Sequence, residues 1–150
     1  MEQTFIKYIH EFFKKHIEAY GFSIKEELIE GQSYMIEFSS KDFVIKIDKY
    51  FREFYVSLYK FDYPDHGIEL FNLLEYLKQD TTEVPRPEYF RKEKDLEECY
   101  RKQLLHISKV FDENYIVIND YFNATDFESK VADMKRFRRK KYPELYKNQP

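Results

Sequence analysis

The sequence predicts an α+β domain: an N-terminal helix, a four-stranded antiparallel meander, a short helix, then two longer C-terminal helices packed on the sheet. Three observations predict it. Apolar residues recur every three or four positions near the N-terminus and again after residue 68, which is the spacing of one helix face. Between those stretches the period drops to two, as in strands with one buried face. The third is composition: 14 tyrosines, 15 phenylalanines and a hydrophobic share of 43% supply a core, while 35% charged residues supply a surface. At 150 residues the chain is most economically one domain, 1–150, able to bury about two-thirds of its unfolded surface.

The first helix is expected from about Thr4 to Tyr20, with Phe5, Ile9, Phe12, Phe13, Ile17 and Tyr20 on one stripe. Gly21 follows where a left-handed residue commonly closes a helix. The first strand alternates Phe22, Ile24 and Leu28 against Ser23, Lys25 and Glu27. In the next two, Tyr34, Ile36 and Phe38 alternate with Met35 and Glu37, and Phe43, Ile45 and Ile47 with Val44, Lys46 and Asp48. A fourth strand runs from Phe54 to Phe61, with Val56 and Leu58 on one face and Tyr55, Ser57, Tyr59 and Phe61 on the other. Links at Gly31-Gln32, 39–42 and 49–53 are short enough for hairpins.

After Tyr63-Pro64-Asp65-His66-Gly67, the residues Ile68, Phe71, Leu74 and Leu77 make a short amphipathic helix ending near Gln79. Residues 80–91, with Pro85 and Pro87, read as a surface connection. From about Lys92 to Phe122 an unbroken three- or four-residue spacing favours one long helix, kinked near Asp112 if at all. Tyr115-Ile116-Val117-Ile118 is the competing strand. Thr125-Asp126-Phe127-Glu128 has capping-box spacing and opens a last helix through Phe127, Val131, Met134 and Phe137 or Arg138, ended by Tyr142-Pro143.

Charge divides unevenly. Residues 130–150 carry eight basic and two acidic side chains, a net of +6, and the preceding 129 residues sum to −9. The expectation is an acidic body with a basic C-terminal helix and tail at about 126–150. No apolar run approaches the roughly 20 residues of a membrane span. The N-terminus reads as a helix and not a signal peptide, and Cys99 is the sole cysteine, so a reducing, cytoplasmic setting is expected. The Asn123-Ala124-Thr125 sequon is then empty.

Candidate chemistry is sparse. His10 and His16 are six apart on one helix and diverge, His16 bordering the apolar stripe, and His106 has no ligand partner at metal spacing. His66 beside Asp65 is the one histidine in a turn with a carboxylate neighbour, yet an Asp there more often caps the next helix. Cys99 reads as a buried thiol. Glu26-Glu27 and Glu97-Glu98 diverge as sequence neighbours and make no glycosidase dyad. Gly21, Gly31 and Gly67 stand singly, without a phosphate-cradling loop. No cofactor, metal or catalytic set is expected, and the chain is read as a non-enzyme.

Two surfaces remain. Lys135, Arg136, Arg138, Arg139, Lys140 and Lys141 form a basic run that can neutralise phosphates, giving a nucleic-acid-binding reading. The same run also fits cations gathered at a helix C-terminus. Around the third hairpin, Tyr50, Phe51, Arg52 and Tyr55, with Tyr59 and Tyr63, are residue types enriched at protein interfaces. They are either an interface patch or overflow from an aromatic core.

The order of parts resembles the small cytoplasmic immunity proteins of bacterial polymorphic-toxin systems. Those begin with an amphipathic helix running into a Tyr-Gly-Phe strand start, here Tyr20-Gly21-Phe22, continue through a charged meander, here Phe43 to Asp48, and close on long helices. The resemblance implies a non-catalytic inhibitor that binds a cognate toxin and blocks its active site. Against nuclease toxins the inhibiting surface is typically acidic, so the implied partner is a toxin with a basic surface.

Overall fold

The computed structural model describes residues 4–81 and 83–147. Residues 1–3 and 148–150, the ends of the predicted domain and basic tail, and Thr82 of the predicted 80–91 connection lie outside the described residues. The class is α+β, as predicted, but among the described residues the sheet has five antiparallel strands. The chain opens with α1 (Phe5–Ala19), then β1 (Ser23–Glu30), β2 (Ser33–Ser39), β3 (Phe43–Tyr50) and β4 (Glu53–Lys60). A 3-10 turn at Pro64–His66 leads into β5 (Ile68–Glu69) and α2 (Leu70–Leu77). The C-terminal half is α3 (Leu96–Glu113), α4 (Tyr115–Asn123), α5 (Phe127–Lys141) and a last 3-10 turn, Pro143–Tyr146. No described helix is long and apolar enough to cross a membrane.

Sheet order follows chain order, β1-β2-β3-β4-β5, with antiparallel pairing throughout. The alternation read from the sequence sets the faces of the three central strands. Tyr34, Ile36 and Phe38 of β2, Phe43, Ile45 and Ile47 of β3, and Phe54, Val56 and Leu58 of β4 form one buried layer. Against it pack Phe5, Ile9, Phe13 and Ile17 of α1, together with the apolar residues of α2 to α5. Helices therefore lie on one sheet face, and the residues of opposite parity belong to the other.

Aromatic rings fill the join. Phe43 meets Phe22 edge-on at 5.1 Å between centroids, stacks on Phe122 at 4.8 Å, and lies 6.3 Å from Phe111 and 6.2 Å from Tyr115. Four rings from three segments, the α1–β1 junction, α3 and α4, thus converge on one β3 ring. Gly21 has φ 79° at the α1–β1 junction, as the helix-closing role requires.

The structure corrects several expectations. Ile68 belongs to a two-residue strand pairing with Ser57 and Leu58, not to the short helix. Glu69 then caps α2, its carboxylate accepting from the Asn72 N–H at 2.8 Å, so Asp65 is not that cap. The long helix expected from Lys92 begins at Leu96, where Asp95 accepts from the amides of Glu97 and Glu98. It also breaks at buried Asn114, which bonds back to the Val110 carbonyl through both backbone and side-chain nitrogens. Tyr115–Ile118 is helix and not strand, and three helices follow α2 instead of two. At α5 the cap position falls on Asp126 with no side-chain capping bond, so the Thr125–Glu128 capping box does not form.

The first strand departs furthest. A bulge between Ile24 and Glu26 shifts the register, placing Leu28 opposite Met35 and Ile29 opposite Tyr34. Ile24 and Leu28 therefore lie on opposite faces, and all eight β1 residues are exposed.

Truncating the ring on which the layers converge should be costly. Phe43→Ala is expected to lower unfolding free energy by about 3–5 kcal/mol, the range for large-to-small aromatic changes in a closed core. Urea denaturation followed by circular dichroism measures it, and a loss below about 1 kcal/mol would mean that the core closes without this ring.

Candidate protein interface

The third hairpin brings Tyr50 and Phe51 to an exposed tip. Its turn is the two-residue Phe51-Arg52, since Tyr50 pairs with Glu53 in register. Phe51 has φ 54°, a left-handed conformation that favours glycine or asparagine and costs a bulky residue about 1–2 kcal/mol. The residue is 73% exposed, and its ring meets that of Tyr50, itself 62% exposed, edge-on at 4.5 Å. An exposed aromatic pair held in a strained turn gains nothing from core packing, so core overflow does not describe it.

Three side chains hold that tip. Gln103 of α3 is fully buried and bonds the backbone on both sides of Glu53. Its Nε2 donates to the Arg52 carbonyl at 2.7 Å, and its Oε1 accepts from the Phe54 N–H at 3.1 Å. The Arg52 guanidinium turns away from the tip and donates to the Glu93 carbonyl at 2.7 Å. Arg91 closes the third contact, its Nε 2.6 Å from Glu53 Oε2. The connection after α2 is thus a brace for the hairpin. Lys49, just below the tip, is buried against the Phe5 and Tyr100 rings at 5.3 Å from each, with Nζ donating to the Gln32 carbonyl at 3.3 Å. Burial lowers its pKa.

The remaining predicted interface residues separate. Tyr55 and Tyr59 lie on the sheet face away from the helices, where Tyr59 opposes buried Val44 and donates to Glu37 while accepting from Lys25 at 3.0 Å. Tyr55 donates to Glu53, which pushes its own pKa up to about 12, and its ring is 5.7 Å from that of Tyr89. Tyr63 sits beyond the far end of β4 beside His66 and Phe127 and does not join the tip. Tyr50 and Phe51 come together at the tip, Arg52 shares their turn but sends its guanidinium to Glu93, and Tyr55 is adjacent through Glu53. Sequence reading missed Gln103, Glu93 and Arg91. The one visible hint for Gln103 is a polar residue beside Leu104 on the buried side of a helical stripe.

The basic run divides around α5. Arg138 and Lys141 face Glu75 of α2 at 3.8 and 3.4 Å, and Arg136 pairs with Asp133 at 3.4 Å. Lys135, Arg139 and Lys140 are exposed. A cavity of about 420 Å³ between α5 and β5 is lined by Lys135, Arg138, Arg139 and Gly67, but neither Asp65 nor His66 lines it. Cys99 is fully buried, with its thiol donating to the Tyr89 carbonyl at 3.4 Å.

No protein-family model, curated protein or solved structure matches this chain.

Replacing the clamp by an apolar residue of similar size separates its polar role from its volume. Gln103→Leu leaves the buried Phe54 N–H and the part-buried Arg52 carbonyl without their partner, and the stranded Phe54 N–H alone is expected to cost about 1–3 kcal/mol. Amide exchange at Phe54, from whose N–H the glutamine accepts, should accelerate more than at Ile45, and equal acceleration would show a general loosening instead.

The tip brace should also respond to acid. The Arg91 guanidinium, helped by the Tyr55 hydroxyl against partial burial, holds the Glu53 carboxyl below its ordinary value. Its stabilising contribution is therefore complete above the ordinary carboxyl range and is lost as pH falls through the lowered folded value. The Tm gap between wild type and Glu53→Gln should be widest near neutrality and narrow on acidification. A gap independent of pH would contradict this.

Proposed function

We propose that this chain is a non-catalytic protein-binding module, acting in the cytoplasm as a stoichiometric inhibitor of the immunity or antitoxin kind. The observation that carries the reading is the braced tip. Tyr50 and Phe51 project together into solvent from a turn that a buried glutamine fixes on both sides. Preorganised aromatic anchors lose little entropy on association, and such residues dominate protein interfaces energetically. A narrow hairpin end carrying two rings also suits insertion into the cleft of an enzyme to be blocked.

Charge supports the choice of partner. The −9 summed over residues 1–129 favours encounter with a basic surface and speeds association at low salt. The sequence resemblance to immunity proteins points the same way. Lys135, Arg139 and Lys140, exposed on α5, support a second reading, nucleic-acid binding. It is the weaker reading, because Arg138, Lys141 and Arg136 already face carboxylates.

A tagged pull-down from the native host at low and high salt, analysed for protein and nucleic acid, tests both. One stoichiometric protein partner surviving high salt is expected. The pair Tyr50→Ala and Phe51→Ala should weaken its binding by at least about 30-fold, from about 2–4 kcal/mol of hot-spot loss, with Tm essentially unchanged. Retained affinity in that variant would overturn the tip reading. Salt-labile nucleic acid in place of a protein would transfer the function to α5.

A further inference from the structure

β1 is a terminal strand of eight residues, and every one of them is exposed. The opposite sheet edge, β5, has only two residues. A long uncovered edge presents a row of backbone N–H and C=O groups ready to pair with another strand, and folded proteins generally shorten, cover or charge such edges. This one keeps apolar side chains in the open, with Ile24 51%, Leu28 45% and Ile29 54% exposed. Both strand faces carry an apolar position, since the neighbours Leu28 and Ile29 alternate, Leu28 opposite Met35 and Ile29 opposite Tyr34.

The charges on the strand decide what fits. Lys25 is turned back onto the sheet, 3.0 Å from the Tyr59 hydroxyl and 3.8 Å from Glu37. Glu26, Glu27 and Glu30 are left exposed along the edge. In the register that opposes its isoleucines, a second copy of this chain fits poorly. The antiparallel register matching Ile24 of one β1 to Ile29 of another sets Glu26 against Glu27 twice, and like charges directly opposed destabilise a strand pair. An extended segment alternating lysine or arginine with β-branched residues satisfies the backbone, the apolar positions and the carboxylates together.

We propose that β1 is a docking edge for an extended basic segment of the partner protein, which adds to the sheet as a sixth strand. This rests on the protein-binding reading and names a second element of the same interface. Main-chain hydrogen bonds supply affinity in such strand addition, and side chains at alternate positions supply selectivity.

The test is calorimetric titration of the full chain with three eight-residue peptides. One alternates lysine with isoleucine and valine, one has glutamate in place of lysine, and the third is the lysine peptide N-methylated at alternate amides, which keeps charge but blocks pairing. The lysine peptide should bind, weaken with salt, and slow amide exchange within residues 23–30. The other two should bind at least about tenfold more weakly. Glu26→Gln, Glu27→Gln and Glu30→Gln combined should weaken the lysine peptide by about tenfold, with Tm retained because all three positions are exposed.

Equal binding of the N-methylated peptide, protection outside residues 23–30, or no binding of the lysine peptide would overturn the proposal. So would a dimer in sedimentation whose β1 amides are protected, which would make a second copy the occupant. Tyr50→Ala with Phe51→Ala should leave the titration unchanged. The tip is read on the native partner and the edge on peptides alone, so failure of either is distinguishable from failure of the other.

Discussion

Everything in this molecule depends on the Phe43 ring having neighbours on one side of the sheet only. It gathers Phe22 from the α1–β1 junction, Phe111 from α3, and Tyr115 and Phe122 from α4. Edge-on and offset-stacked rings favour each other beyond the area they bury, so the cluster fixes directions as well as proximity. With the helical layer drawn to that face, the other face of β2–β4 carries the residues of opposite parity, from buried Val44 and Glu37 to exposed Tyr55. It is finished by polar tyrosines and by pairs such as Lys25 with Glu37, and not by a second layer.

Tyrosine does a second job at the margins of that core. Tyr20 donates to Asp112 at 2.6 Å, Tyr76 to Asp133 at 2.7 Å, and Tyr142 to Glu75 at 2.7 and 2.9 Å. Each bond ties a helix to another element through a ring that is apolar at its base and polar at its end. Burial works against the Glu75 charge, but the Tyr142 hydroxyl with Lys141 and Arg138 holds its carboxyl below the ordinary value. At Glu69, burial wins and raises it. An acidic chain can thus keep carboxylates close to its core, because aromatic hydroxyls and a few cations meet them there.

The elements legible in the sequence were those whose period extends over several residues. The α1 stripe and the alternation in β2, β3 and β4 emerged as read, because each has a buried face to fill. β5 was illegible since two residues show no period. The Asn114 break was hidden because α4 continues the apolar spacing of α3, so the pattern crosses a break the backbone does not. The β1 bulge defeated a parity argument that one extra residue reverses. At the candidate site, Tyr50 and Phe51 were legible as residue types. Their support was not, because Gln103 and Arg91 reach the hairpin from about 40 to 50 positions away.

Strand order has a temporal side. With each strand paired to its sequence neighbour, every sheet contact closes across a short loop, at a small entropic cost. The link from Gln103 to the Arg52 carbonyl spans 51 positions and must await the arrival of α3. Pulsed hydrogen exchange during refolding would date the two events, and simultaneous protection of Ile45 and Phe54 would contradict a sequence between them. Until α3 is in place, the third turn of the meander lacks its clamp. A nascent or partly opened chain then carries the aromatic tip without the rigidity that makes it a good anchor, and recognition becomes a property reserved to the finished molecule.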